Sequence, residues 1–189
     1  MLTQLQEQKL THYFNVLDFD KSETLEKKDF TSIGANLGTL WGFTEHSVEY
    51  QASMDRCGRM WEDFRLFIDK SPDEKATIEE WLEFADKSIV NGNEEMYEMH
   101  INKIAREIVD LFDTDHDGFI SLNEYLDLFM AYRIEIKYSA KAFTKIDLNG
   151  DDLISKVELL GAIREFFRSD DENARGNWLF GFWDNPMWA

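Results

Sequence analysis

One twelve-residue pattern recurs along the chain, and it restricts the fold more than any other feature. In DTDHDGFISLNE (113–124), Asp113, Asp115 and Asp117 stand at the first, third and fifth places, Gly118 at the sixth and Glu124 at the last. DLNGDDLISKVE (147–158) repeats the scheme with Asp147, Asn149, Asp151 and Glu158, and looser copies occupy 18–29 (DFDKSETLEKKD) and 69–80 (DKSPDEKATIEE). Between the copies, apolar residues return every three or four positions, as at Met54, Cys57, Trp61, Phe64 and Ile68. That is the period of a helix with one buried face. The spacing predicts helices over about 4–17, 27–37, 44–68, 79–90, 94–112, 122–132, 136–146 and 156–168, with Thr44 capping the third. Repeat and period together describe an all-α chain of four helix-loop-helix units.

Acidic side chains crowded this closely repel one another unless a cation joins them. A hard dication such as Ca2+ takes six to eight oxygens at roughly 2.3–2.6 Å, and a chain wound tightly around it turns alternate residues inward. In the third copy those residues are Asp113, Asp115, Asp117, the Phe119 carbonyl and Glu124, which supplies two oxygens from the start of the next helix. The sixth place turns sharply at positive φ, which Gly118 does without steric cost. All these positions fit the EF-hand pattern. The fourth copy offers Asp147, Asn149, Asp151, the Leu153 carbonyl and Glu158, with Asp152 in the turn, a residue that tolerates the left-handed conformation better than most. Ile120 and Ile154, at the eighth places, are expected to pair in a short two-stranded bridge.

The first copy keeps Asp18, Asp20, Ser22 and the Thr24 carbonyl but puts Glu23 in the turn and Asp29 where the others carry Glu. A shorter, one-toothed Asp29 lowers the oxygen count and moves the loop towards the octahedral shell of Mg2+, so 18–29 is expected to take Ca2+ or Mg2+. The second copy has Asp69, Ser71, Asp73, Thr77 and Glu80, but Glu74 in the turn, Lys75 beside the metal position and Ala76 at the pairing place all count against binding. Loop 69–80 is expected to stay empty and to pair structurally with the first. The neutral Asn91-Gly92-Asn93 divides the chain, giving hands 1 and 2 in residues 1–91, hands 3 and 4 in 92–173, and an aromatic tail, 174–189, packed between the halves.

Charge and composition exclude several classes. With 38 Asp and Glu against 20 Lys and Arg, the net charge is −18, which repels nucleic acid and anionic lipid and favours cations. Yet 43% of residues are hydrophobic and 14% aromatic, a content that folds instead of forming a disordered acidic tail. The start lacks a basic, apolar leader, Leu2 stands where N-myristoylation needs Gly, and no apolar run approaches the roughly 20 residues of a membrane span. The single cysteine, Cys57, lies on the apolar side of its helix. A cytoplasmic monomer without a membrane anchor is the expectation.

At this point the chain resembles the invertebrate sarcoplasmic calcium-binding proteins, with their relatives calexcitin and the coelenterazine-binding photoproteins. The segment THYFNVLDFDKSETLEKKDF is similar to that family's first hand, including the terminal Asp29, and ARGNWLFG (174–181) is similar to its tail. The resemblance implies two packed halves, a role as a Ca2+ and Mg2+ buffer, and binding at the first, third and fourth loops while the second often fails. The non-Gly turns at Glu23 and Asp152 depart from the pattern.

The tail segment NWLFGFWDNPMWA concentrates Trp178, Phe180, Phe182, Trp183 and Trp188, too much apolar surface to leave in water. It plugs the interface between halves or walls a cavity for an aromatic ligand such as coelenterazine. The resemblance implies that light emission needs a His towards the C-terminal end, and this chain has only His12, His46, His100 and His116, so ligand storage without light is the form of that alternative. A calcium sensor, which would expose a hydrophobic surface to a target protein, is the other. No His-rich metal motif, phosphate loop or Ser/His/Asp arrangement suggests an enzyme.

Overall fold

The computed structural model describes residues 1–68 and 75–182. Eight α-helices are present among them: α1 Gln4–Leu17, α2 Lys27–Leu40, α3 Val48–Ile68, α4 Ile78–Phe84, α5 Glu94–Phe112, α6 Leu122–Ala131, α7 Ser139–Ile146 and α8 Lys156–Arg168. Four short strands lie in the loops between paired helices: β1 Thr24–Leu25, β2 Ala76–Thr77, β3 Phe119–Ser121 and β4 Leu153–Ser155. Strand β1 pairs antiparallel with β2, matching Leu25 to Ala76, and β3 pairs with β4, matching Ile120 to Ile154. The eighth residues of the loops therefore meet as the sequence predicts, and each two-stranded bridge ties two hands into a pair.

Local chemistry sets the helix ends. Thr3, Thr77, Ser121 and Ser155 each cap a helix and share a capping box with Gln6, Glu80, Glu124 and Glu158, so two donors at each N-terminus are satisfied. The predicted start of the third helix at Thr44 is wrong. His46 takes a left-handed φ of 73°, which breaks the helical path, and Ser47 accepts from the Tyr50 N–H at 3.1 Å as the actual cap. The predicted 79–90 helix is also interrupted: Ala85–Val90 winds as a π-helical turn, and Arg168 donates to the Ile89 carbonyl at 3.2 Å. The 136–146 helix opens with a 3-10 turn, Ile136–Tyr138.

The predicted stripe of α3 faces inward, with Cys57, Trp61 and Ile68 buried and Met54 and Phe64 half-buried. Phe14, Leu17, Trp81, Phe112, Phe143 and Ile146 of other helices are buried with it. Helices α2 and α3 approach so closely that a Cβ on Gly34 would stand 2.5 Å from the Ser53 carbonyl oxygen, a contact no larger residue can occupy. The tail runs between α1 and α8: Phe180 stacks on Tyr13 at 4.5 Å between ring centres and meets Phe166 edge-on at 5.1 Å. Its backbone is held by side chains, with Tyr125 donating to Leu179 O and His12 Nε2 to Phe180 O, both at 2.7 Å. Trp183 and Trp188 lie outside the described residues. None of the described helices is long and apolar enough to cross a membrane.

One charge sits in this core. Lys9 is fully buried, and its ammonium donates to Glu165 O at 3.2 Å, Ser169 O at 2.8 Å and Asn177 Oδ1 at 3.0 Å. Burial lowers its pKa to about 8, against the pull of Asp170 and Glu165. Lys9→Ala takes the donor from Ser169 O and Asn177 Oδ1, while Glu165 O keeps the Ser169 N–H, and is expected to cost about 3 kcal/mol of stability. The folded pKa lies below that of the unfolded chain, so the pH-dependent part of this group's contribution is complete above the unfolded value of 10.5 and is lost as pH falls through about 8. Urea denaturation of both proteins should therefore show the deficit of the variant widening as pH rises across that window.

Candidate metal centres

Two loops bring three carboxylates together. In the first, oxygens of Asp18, Asp20 and Asp29 lie within 4.8 Å of one another, and in the third so do those of Asp113, Asp115 and Glu124. Each set has two buried members and one exposed, so each set reaches solvent through its third-place aspartate. Backbone amides hold the shape. Asp18 accepts from the N–H groups of Ser22 and Glu23 at 3.0 Å, and Asp113 accepts from those of Asp117 and Gly118 at 3.1 Å. The last carboxylate bridges back to the loop start: Asp29 accepts from Phe19 and Glu26, and Glu124 accepts from both the N–H and hydroxyl of Thr114 and of Ser121.

These bonds set the charge state. Burial pushes the Glu124 carboxyl up, but the bonds from Ser121 and Thr114 together outweigh it and hold the group below its ordinary value. Glu158 behaves alike, with Ser155, Leu148 and Asn149 as donors. Asp29 differs. Burial raises its pKa beyond what the Glu26 and Asp20 amides offset, and the Asp20 and Asp18 carboxylates push the same way. A bound dication would supply what solvent no longer does at Asp29.

The remaining predicted ligands take varied places. Ser22 Oγ donates to the Thr24 carbonyl at 3.1 Å, which sets these two oxygens side by side. Asp117 accepts from the Phe119 N–H at 2.8 Å and stands outside the third-loop triad. In the fourth loop Asp147 accepts from Gly150 and Asp152, while the Asn149 amide donates to Asp151 at 2.8 Å. With Asn149 at its third place that loop has no three-carboxylate set. Asp69, Ser71, Asp73 and Glu74 of the second loop lie outside the described residues. Within its described part, Glu80 accepts from the Thr77 N–H at 2.9 Å and Lys75 pairs with Glu26 at 3.3 Å. Carboxylates, a hydroxyl, a side-chain amide and backbone carbonyls form an all-oxygen donor set that fits a hard dication such as Ca2+.

No family model matches the chain. Calerythrin from Saccharopolyspora erythraea is 24% identical over 166 residues, which span 88% of this chain and 94% of that protein. The coelenterazine-binding protein of Renilla muelleri, in its Ca-loaded apo form, superposes with a TM-score of 0.78 at 20% identity, covering 95% of this chain and 99% of that one. A sarcoplasmic calcium-binding protein from amphioxus gives a TM-score of 0.67 at 17% identity over 96% and 98%. The chain has the EF-hand fold of the sarcoplasmic calcium-binding proteins.

Each of the three fully described loops, 18–29, 113–124 and 147–158, turns twice through the left-handed region. The sixth places are expected there and are found at φ of 65° for Glu23, 87° for Gly118 and 64° for Asp152. The fourth places, Lys21, His116 and Gly150, are left-handed too, at 59°, 60° and 72°. Sequence reasoning missed them, although Gly150 in the fourth copy was a signal. Glu23 is exposed, so its left-handed backbone costs about 1–2 kcal/mol with no burial in return. Glu23→Gly is expected to stabilise the metal-free protein by about 1 kcal/mol and to tighten the first loop. Thermal melts with chelator and a Ca2+ titration of the variant would check both.

Proposed function

We propose that this protein binds Ca2+ in its first, third and fourth loops and acts as a Ca2+/Mg2+ buffer. The observation that carries the reading is the pair of preformed triads, Asp18, Asp20 and Asp29 in one half and Asp113, Asp115 and Glu124 in the other. Asp18, Asp20, Ser22, Thr24 and Asp29 would hold the first ion, Asp113, Asp115, Asp117, Phe119 and Glu124 the third, and Asp147, Asn149, Asp151, Leu153 and Glu158 the fourth. Amides already holding the carboxylates in place reduce the ordering that binding requires, which favours tight sites. Packing favours a buffer over a sensor. Helices α2 and α6, which leave the first and third loops, are joined to each other: Asn36 donates to the Met130 and Ala131 carbonyls at 3.0 and 3.2 Å, and Trp41 to Asp127 at 3.3 Å. A target helix would have to displace that contact. The reading is of a non-catalytic monomer whose partners are ions.

A cavity of about 180 Å³ beside the first loop, lined by His12, Tyr132, Tyr138 and Phe182 among others, supports a second reading as a carrier of an aromatic molecule, the class named for the Renilla muelleri protein. Pockets for drug-sized ligands run to about 300–1,000 Å³, so the cavity would have to expand.

Calorimetric titration of metal-stripped protein with Ca2+, with and without about millimolar Mg2+, separates a buffer from a sensor. Sites near 10⁻⁸–10⁻⁷ M weakened by Mg2+ fit the buffer, whereas sites near 10⁻⁶–10⁻⁵ M indifferent to it fit a sensor. Glu124→Gln should weaken the third site at least about tenfold, roughly 1.4 kcal/mol; unchanged affinity there would refute its bidentate role. Excess chelator should lower the melting temperature by more than about 10 °C, because saturating ligand adds kilocalories of stability. Equal melting temperatures would mean that the loops do not couple metal to the fold.

A further inference from the structure

Helix α6 ends on a capping motif that a glycine would suit. The Ile134 N–H donates back to the Phe129 carbonyl at 2.8 Å and the Arg133 N–H to that of Met130 at 3.2 Å, which leaves residue 133 left-handed, at φ 56°. Helix α2 ends on the same motif, with Phe43 donating to Gly38 and Gly42 to Thr39. There the left-handed residue is Gly42, at φ 75°, as the motif prefers. An arginine in that conformation carries a strain that glycine avoids.

Its side chain spans the two halves. The Arg133 guanidinium lies over the Phe19 ring, 3.6 Å from its centre, and donates to the Phe19 carbonyl at 3.4 Å. Phe19 follows the first acidic residue of loop 18–29, and its own N–H donates to Asp29 at 3.1 Å. Asn36 makes a second crossing close by, satisfying the last carbonyls of α6 from the middle of α2. Helix α2 carries Asp29 and α6 carries Glu124, so the final carboxylate of each triad rides on one of two interlocked helices.

We propose that Arg133 and Asn36 couple the first and third loops across the halves, so that a cation in one raises the affinity of the other. The proposal rests on the calcium-binding reading above. It differs from pairing through the loop strands, which join the first loop to the second and the third to the fourth. Binding at the third loop fixes Glu124 and hence α6; the α6 end then holds Phe19 and α2 in the position at which Asp29 meets Asp18 and Asp20. Both are positioning residues, neither being a ligand.

The test uses two backbone amides as separate reporters in the ¹⁵N-labelled full chain. The Glu23 N–H donates to Asp18 and the Gly118 N–H to Asp113, so each signal follows its own loop during a chelator-buffered Ca2+ titration. Glu124→Gln, made to weaken the third loop, should raise the Ca2+ needed to half-saturate the Glu23 signal at least about fivefold. In an Arg133→Gly, Asn36→Ala background the same change should move Glu23 by less than about twofold. Arg133→Gly retains the left-handed cap, so an undiminished melting temperature for that single variant would separate lost coupling from lost fold. The proposal is overturned if Glu23 is indifferent to Glu124→Gln while both loops bind, or if it shifts equally in both backgrounds. Silence of both amides up to about millimolar Ca2+, the range of the weakest known EF-hand sites, would overturn the calcium-binding reading itself.

Discussion

Mutual repulsion among three carboxylates held within 4.8 Å is the constraint around which this protein is organised. At that separation like charges cannot be left to solvent once two of them are buried, and the loops answer with backbone N–H groups. Each first aspartate collects amides from the far side of its loop, and each last carboxylate collects amides from the near side. That last carboxylate also sits in the first turn of the following helix, where unpaired amides and the helix dipole favour negative charge. One group thus serves loop closure, helix capping and the candidate site together, and a change at the site is a change in helix direction.

Helix direction matters because little of the helical surface is idle. Aromatic rings from α1, α8 and the tail interlock through Tyr13, Phe166 and Phe180, and α2 packs on α3 with a glycine at the crossing. The halves are joined by hydrogen bonds that use helix ends, a place where a carbonyl has no partner within its own helix. Asn36 is such a contact: it reaches the Ala131 carbonyl and adds a second donor to that of Met130, which also accepts from the Arg133 N–H.

Much of this was legible in the sequence. The acidic repeat located the loops, the three-to-four spacing located the buried stripes, and the eighth-place residues located the strand pairing. These features depend on near neighbours, which a sequence displays directly. The boundary at Thr44 was misread because the decisive residue, His46, breaks the helix by a backbone conformation that histidine does not advertise. The left-handed Lys21, His116 and Arg133 escaped notice for the same reason. Nothing near Lys9 marks it as buried; it looks like an ordinary surface lysine until α8 and the tail close over it. The second loop offered ligand types in sequence, yet six of its twelve residues, 69–74, lie outside the described part of the chain, so the case against binding there is the one made by Glu74, Lys75 and Ala76 in the sequence.

The seat of Lys9 also bears on the order of events during synthesis. Its ammonium is accommodated only when Asn177, made 168 residues later, and the end of α8 have arrived. While the ribosome is still working through the intervening hands, helix α1 carries a charge that its eventual neighbours cannot yet accept, and its apolar face lacks Phe166 and Phe180. The N-terminal pair can join its loops early, since β1 and β2 both precede residue 78, but it cannot finish its core alone. Completion is postponed to one late docking step, so the nascent first half remains in need of protection for most of the time the chain takes to be made.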